Sequence, residues 1–199
     1  MKELDVLIPT SMQRLENLLF NVRGIFSQEL NVRITIASSV KADALKELLT
    51  DREMESMRFI EDAPVGQWGN AASKYAMENF NWANWFYSIG DDDAILPWGL
   101  KHLMANRKGV SMVIGQALCV SKNGQKDLTH YHVGRVISVG KVSGVCALFN
   151  FRDIEKLGKP YWIAESPVSD FQLINRMSME YKYKIIPNTV CCLALAEVE

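Results

Sequence analysis

The chain has 199 residues, 48% of them hydrophobic, with 22 Lys plus Arg against 23 Asp plus Glu. That size suits one domain with a sizeable core, and a net charge of −1 excludes the global basic field that holds proteins onto nucleic acid or anionic membrane. No window approaches the ~18 apolar residues of a membrane span, and Met1-Lys2-Glu3-Leu4-Asp5 lacks the regions of a signal peptide, so the chain reads as cytoplasmic.

Residues 4–8 form a short apolar run interrupted only by Asp5, the pattern of a strand buried on both faces, and Pro9-Thr10-Ser11 stops it. Leu15, Leu18, Leu19, Val22, Ile25 and Phe26 recur at helical spacing and predict a helix over 13–28, followed by a strand over 32–37 that ends at Ser38-Ser39. A second helix is expected over 41–52 and a short strand over 57–60. The glycine-bounded loop Gly66-Gln67-Trp68-Gly69 then leads into a helix over 70–79. The next strand is the run from Trp85 to Ile89, which passes into Gly90-Asp91-Asp92-Asp93 and then Pro97. Strand and helix alternate throughout this half, which implies a mostly parallel sheet covered by helices, with ligands at the carboxyl ends of the strands. Thr10, Ser38 and the acidic triplet should therefore share one rim.

After a helix over 97–106 the alternation breaks. Residues 110–121, 133–139 and 144–151 read as strands, with a hairpin signal at Asn123-Gly124. A short helix at 152–157, an irregular stretch over 161–167, a helix over 168–181 and strands at 184–186 and 190–195 complete the pattern. The expected organisation is one α/β domain, with residues 1–98 as a nucleotide-binding half and 99–199 as an acceptor-side half of mixed topology.

Three adjacent carboxylates repel one another by roughly 1 kcal/mol per close pair even in water, so a strand end that carries them needs a cation. Mg²⁺ and Mn²⁺ take oxygen ligands and commonly use one or two protein carboxylates, with phosphates and waters completing the shell. An acidic turn before the helix at Pro97 explains the same residues without a metal. The four cysteines, Cys119, Cys146, Cys191 and Cys192, show no CxxC or zinc spacing and read as free thiols. His130 and His132 alternate along a strand, as a metal pair could, but read equally as surface or acceptor-side residues. Among the tryptophans, Trp162 precedes Asp170 and is the candidate for acceptor contact.

The order of three segments resembles the GT-A glycosyltransferases, specifically family 2. Asp5-Val6-Leu7-Ile8-Pro9-Thr10 is similar to the family's first strand, residues 86–97 to its acidic metal motif, and Ser169-Asp170-Phe171-Gln172-Leu173 with Arg176 to its late acidic segment. The resemblance implies a GT-A (Rossmann-like) fold and a metal-dependent transfer, with inversion, from a nucleotide diphosphate sugar to an acceptor hydroxyl. A UDP-sugar is the expected donor, and a saccharide, a lipid-linked group or a protein the acceptor. It also implies Mn²⁺ or Mg²⁺ at an Asp-x-Asp pair, Asp91 and Asp93, and Asp170 as general base. Thr10, Ser38, Asn70, Lys74, Asp91 and Asp92 are then the nucleotide-sugar contacts.

Two departures stand out. Ala37-Ser38-Ser39 replaces the acidic pair that often follows the second strand, and the arginine that often precedes the asparagine near Asn70 has no counterpart, leaving Lys74 as the nearest cation. Lysine cannot supply arginine's planar bidentate contact. Asp170 read alone is equally an acid in the first turn of a helix, with Glu165 in reserve as the base. The alternatives are a nucleotidyltransferase and a non-catalytic nucleotide-sugar-binding module. A glycine-rich signature with basic residues would mark the former, and Pro9-Thr10-Ser11-Met12-Gln13-Arg14 has no glycine.

Overall fold

A computed structural model describes residues 2–66, 69–121, 130–131, 137 and 144–196. Strand β1 (Leu4–Pro9) is buried at every position, as its apolar run requires. It leads through helix α1 (Leu15–Phe26) to β2 (Val32–Ala37), and the two strands pair in parallel from Leu4↔Val32 to Pro9↔Ala37. The second helix expected from sequence is split into α2 (Asp43–Lys46) and α3 (Asp51–Met54). The cause is Thr50, which leaves the helical conformation and starts α3 with a capping box: its hydroxyl accepts from Glu53 N–H while the Glu53 carboxylate accepts from Thr50 N–H. Strand β3 (Met57–Ile60), helix α4 (Asn70–Asn79) and strand β4 (Trp85–Ser88) follow, and β4 pairs in parallel with the free side of β1.

The remaining elements are β5 (Ala94–Ile95), α5 (Gly99–Ala105), β6 (Met112–Ser121), β7 (His130–Tyr131), a 3₁₀ turn at Gly144–Cys146, β8 (Ala147–Asn150), α6 (Phe151–Leu157), α7 (Ser169–Glu180) and β9 (Tyr183–Ala196). One sheet results, in the order β3-β2-β1-β4-β8-β6-β9-β5, with β7 beside β6. The β3-β2-β1-β4 half is parallel throughout, and β8 turns the sheet antiparallel against β4 and β6. This is the mixed α/β architecture expected from the sequence. The two late strands expected there are one strand, β9, because a register irregularity opposite Ile114–Ala117 of β6 absorbs the break at Pro187 and Asn188. Segment 94–95, not expected as a strand, pairs antiparallel with β9. β6 and β7 are antiparallel, as a hairpin would make them. The turn at Asn123-Gly124, most of the strand expected over 133–139, His132 and Trp68 lie outside the described residues.

Asp5 is the exception in an otherwise apolar strand. It is fully buried, accepts from Arg33 Nε and Nη2 at 2.6 and 2.7 Å, and also accepts from Ala83 N–H at 2.5 Å. A bidentate guanidinium and a backbone donor satisfy its oxygens and tie β1 to both β2 and the entry to β4. Cys146 and Cys191 are free and buried, and burial pushes the Cys191 thiol up to about 11. Among the described residues no helix is long and apolar enough to cross a membrane.

Replacing Asp5 with Ala leaves the Ala83 amide unpaired and the half-buried Arg33 guanidinium with Asn81 O but no carboxylate, and the loss expected in urea unfolding is about 2–3 kcal/mol. Cys191, protonated at pH 8, is expected to resist iodoacetamide in the native protein and to be labelled only in denaturant, as read by mass spectrometry.

Candidate active site

The strand order reverses between β1 and β4: the chain runs outward from β1 through β2 to β3, then returns to lay β4 on the other side of β1. Ligand clefts open at the carboxyl ends of strands at such a switch point. Here the two segments leaving the switch point meet. Thr10, just past β1, donates from Oγ1 to Asp91 Oδ2 at 2.6 Å and accepts from Met12 N–H at 2.8 Å.

The acidic turn is held from outside by α1. Asn17 Nδ2 donates to the carbonyls of Asp91 and Asp93, at 2.5 and 3.0 Å. Asn21, one turn on and fully buried, donates to Asp93 O at 2.7 Å and accepts from Ile95 N–H at 3.0 Å. The two side chains thus do for the turn what a neighbouring strand would do, satisfying its backbone while leaving the carboxylates to face the cleft. Sequence reasoning passed over both. Their signal is an i, i+4 pair of asparagines beside Leu18, Val22 and Ile25, a residue type that favours caps and turns over helix interiors.

Arg14 supplies the internal counter-charge. Its guanidinium lies 3.1 Å from Asp91 and 3.7 Å from Asp92, with the side chain 40% exposed. A Cβ on Gly90 would lie 2.4 Å from Asp92 Oδ1 and 3.3 Å from Asp93 Oδ2, so any side chain there would push the Asp92 carboxylate aside. Two carboxylate oxygens therefore converge over Gly90, while Asp91 is engaged by Thr10 and Arg14. Among the described residues no cluster of three or more His, Cys, Asp or Glu side chains could hold a metal ion. A pair of carboxylates nonetheless fits Mg²⁺ or Mn²⁺ when a diphosphate supplies the other ligands.

A cleft of about 540 Å³ runs from this turn to the N-terminus of α7. Asp91, Asp92, Asp93 and Asp170 line it, and Arg14 is the one cation among its described lining residues. Asp170 Oδ2 accepts from Gly144 N–H and Oδ1 from Phe171 N–H, each at 2.7 Å. Ser38 is 1% exposed, its Oγ turned inward to accept from Val40 N–H at 3.1 Å, and its neighbour Ser39 faces the cleft instead. Lys74, on α4, is not among the lining residues, whereas Asn70 and Ser73 are. Nothing is described of the His130 side chain.

No protein-family model matches the sequence, and no curated protein matches it. Solved structures match the fold. TarS residues 1–349 of S. aureus in complex with UDP superposes with a TM-score of 0.73 at 10% identity, over 98% of this chain and 61% of that one. The same protein in complex with UDP-GlcNAc gives 0.69 at 14%, over 100% and 60%. The mannosyltransferase PcManGT from Pyrobaculum calidifontis, in complex with GDP-Man and Mn²⁺, gives 0.64 at 17%, over 96% and 56%. The chain therefore has the GT-A-like fold of glycosyltransferases, as its motif order implied, and spans somewhat over half the length of these structures.

Asn21→Ala is expected to cost about 1–3 kcal/mol in urea unfolding, since it leaves the Ile95 N–H without its partner and Asp93 O with only its bond from Asn17, at a fully buried position. Asn17→Ala should cost less, because Asn17 is only half-buried and Asp93 O keeps its bond from Asn21. Arg14→Ala removes the counter-charge of Asp91 and Asp92. It should tighten the binding of Mn²⁺ alone severalfold, by calorimetry, because the cation no longer competes with a guanidinium.

Proposed function

We propose that the chain is a glycosyltransferase that moves a sugar from a nucleotide diphosphate sugar, with a UDP-sugar as the expected donor, to an acceptor hydroxyl. The observation that carries this is the cleft itself. In a GT-A-like fold, four carboxylates and a single guanidinium line one cavity, with the acidic turn at the switch point and Asp170 at the far wall. A donor carrying further negative charge enters such a site only with a divalent cation to offset it. Asp93, with Asp92 beside it over Gly90, would hold Mn²⁺ or Mg²⁺. Asp91, anchored by Thr10 and Arg14, would orient the turn toward ribose and diphosphate. When bound, the metal offsets charge on the leaving diphosphate. That two similar structures hold UDP or UDP-GlcNAc and another GDP-Man with Mn²⁺ supports a nucleotide-sugar donor.

Asp170 is the general base in this reading. Its oxygens accept from the Gly144 and Phe171 backbone N–H groups, which fixes the carboxylate on the cleft wall where an acceptor hydroxyl would give up its proton. With the base on the cleft wall away from the acidic turn, the acceptor attacks opposite the leaving diphosphate, the geometry of inversion. The nucleobase would lie among the cleft residues Ser39, Pro64, Val65, Gly66 and Ser73, none of which is ionisable, so hydroxyls and backbone would read it where a carboxylate is usual.

The test is calorimetric titration with UDP, GDP and their sugars, with Mn²⁺, with Mg²⁺ and with chelator. One nucleotide is expected to bind only with metal, and Asp93→Ala should weaken it more than about tenfold. Asp170→Asn should bind the donor normally and lose about 10²- to 10⁴-fold in sugar release. Absence of binding to every nucleotide under every metal condition would overturn the proposal. Binding by the wild type without sugar release to any acceptor or to water would leave a binding module.

A further inference from the structure

Asn70 was expected among the nucleotide-sugar contacts, yet both ends of its amide are used inside the protein. Nδ2 donates to Ser166 O at 2.8 Å, and Oδ1 accepts from Trp162 Nε1 at 2.7 Å. Asn70 and Trp162 are 7% and 6% exposed, so this bond is shielded from water. Trp162 and Ser166 belong to the segment 161–168 that leads into α7, and Ser169 gathers that segment from the other side. Its hydroxyl donates to Ser166 O at 2.6 Å and also to Ile163 O. The first residue of α4 thus fastens the strap that carries Asp170.

The fastening continues to the carboxylate. Gly144 lies between Trp162 and Asp170: a Cβ on it would stand 3.6 Å from Trp162 Cη2 and 2.9 Å from Asp170 Cβ, and its N–H donates to Asp170 Oδ2 at 2.7 Å. A shift of the indole therefore moves the wall against which Asp170 is set. With its N–H engaged and only 6% of its surface exposed, the Trp162 ring serves as that wall while also lining the cleft.

We propose that Asn70 and Trp162 are positioning residues, a buried amide–indole bracket that fastens the Asp170 strap to the nucleotide-binding half and sets where that carboxylate stands. The bracket rests on the glycosyltransferase reading for its consequence but not for its existence. It makes the distance between donor and base a property of one hydrogen-bonded pair.

The experiment compares wild type, Asn70→Ala, Trp162→Phe and the double variant by three readouts. These are donor affinity by calorimetry with Mn²⁺, nucleotide diphosphate release from saturating donor in the absence of acceptor, and exchange of the Trp162 indole proton by NMR. Trp162→Phe keeps an aromatic ring in the wall and removes only the N–H, so it covers the case in which Asn70→Ala fails to fold. Donor Kd is expected to stay within about twofold while release falls about 10- to 100-fold, as for a misplaced group. The double variant should be no worse than Asn70→Ala alone, because that variant already removes the bond from Trp162 together with the one to Ser166 O. The slowly exchanging Trp162 indole proton of the wild type should exchange freely in Asn70→Ala. A Kd that weakens with release at saturation unchanged would make Asn70 a nucleotide ligand and overturn the bracket. Additive losses in the double variant, or an indole proton indifferent to Asn70→Ala, would overturn it too. If the wild type binds no donor, the glycosyltransferase reading fails while the indole readout still decides the bracket.

Discussion

A turn of three consecutive aspartates cannot hold itself in place: its side chains repel, and as it leaves β4 its backbone has no neighbouring strand to pair with. In this protein the turn is held by other elements. Asn17 and Asn21 of α1 take its carbonyls, Asn21 also takes the amide of Ile95, and Thr10 and Arg14 take the first carboxylate. All four side chains come from the segment immediately after β1, so the β1–β4 pairing is what makes the acidic site possible. The burial of Asp5 against Arg33 and the Ala83 amide serves the same pairing from the opposite end of the strands.

With its backbone satisfied in this way, the turn can present Asp92 and Asp93 outward over a glycine. Repulsion between them is then a binding potential for a cation and not a source of unfolding. Arg14 moderates that potential without cancelling it, since four carboxylates share the cleft with one guanidinium. The resident charge balance, more than the identity of any one aspartate, favours a cation in the cleft.

The other wall of the cleft is built by different means. β8 enters antiparallel between β4 and β6, and the 3₁₀ turn before it delivers the Gly144 N–H to Asp170. The strap before α7 is fastened to α4 by Asn70 and Trp162. The acidic side of the cleft is thus organised by strand ends and the opposite side by a clamped irregular segment, and the two meet through hydrogen bonds between residues more than ninety positions apart.

Periodicity and punctuation are local, and they carried the sequence reading a long way: the alternating first half, the broken second half, and the expectation that Thr10, Ser38 and the acidic triplet share one rim follow from apolar spacing and stop signals, whereas Asp170 entered only through the family likeness. The residue types at the ends of β1 and β4, with the late acid in the right order, also specified the family likeness. Orientation is not local, and there the tertiary structure decided. Ser38 is a strand-end hydroxyl by position, but its Oγ caps Val40 N–H and Ser39 faces the cleft. Lys74 is the nearest cation in sequence to the missing arginine, yet Arg14, the residue before α1, is the cation that reaches the acids. Asn70 has the composition of a ligand and the partners of a bracket. In each case the deciding fact is which partners a side chain meets once the chain has packed, and those exist only when segments distant in sequence are brought together.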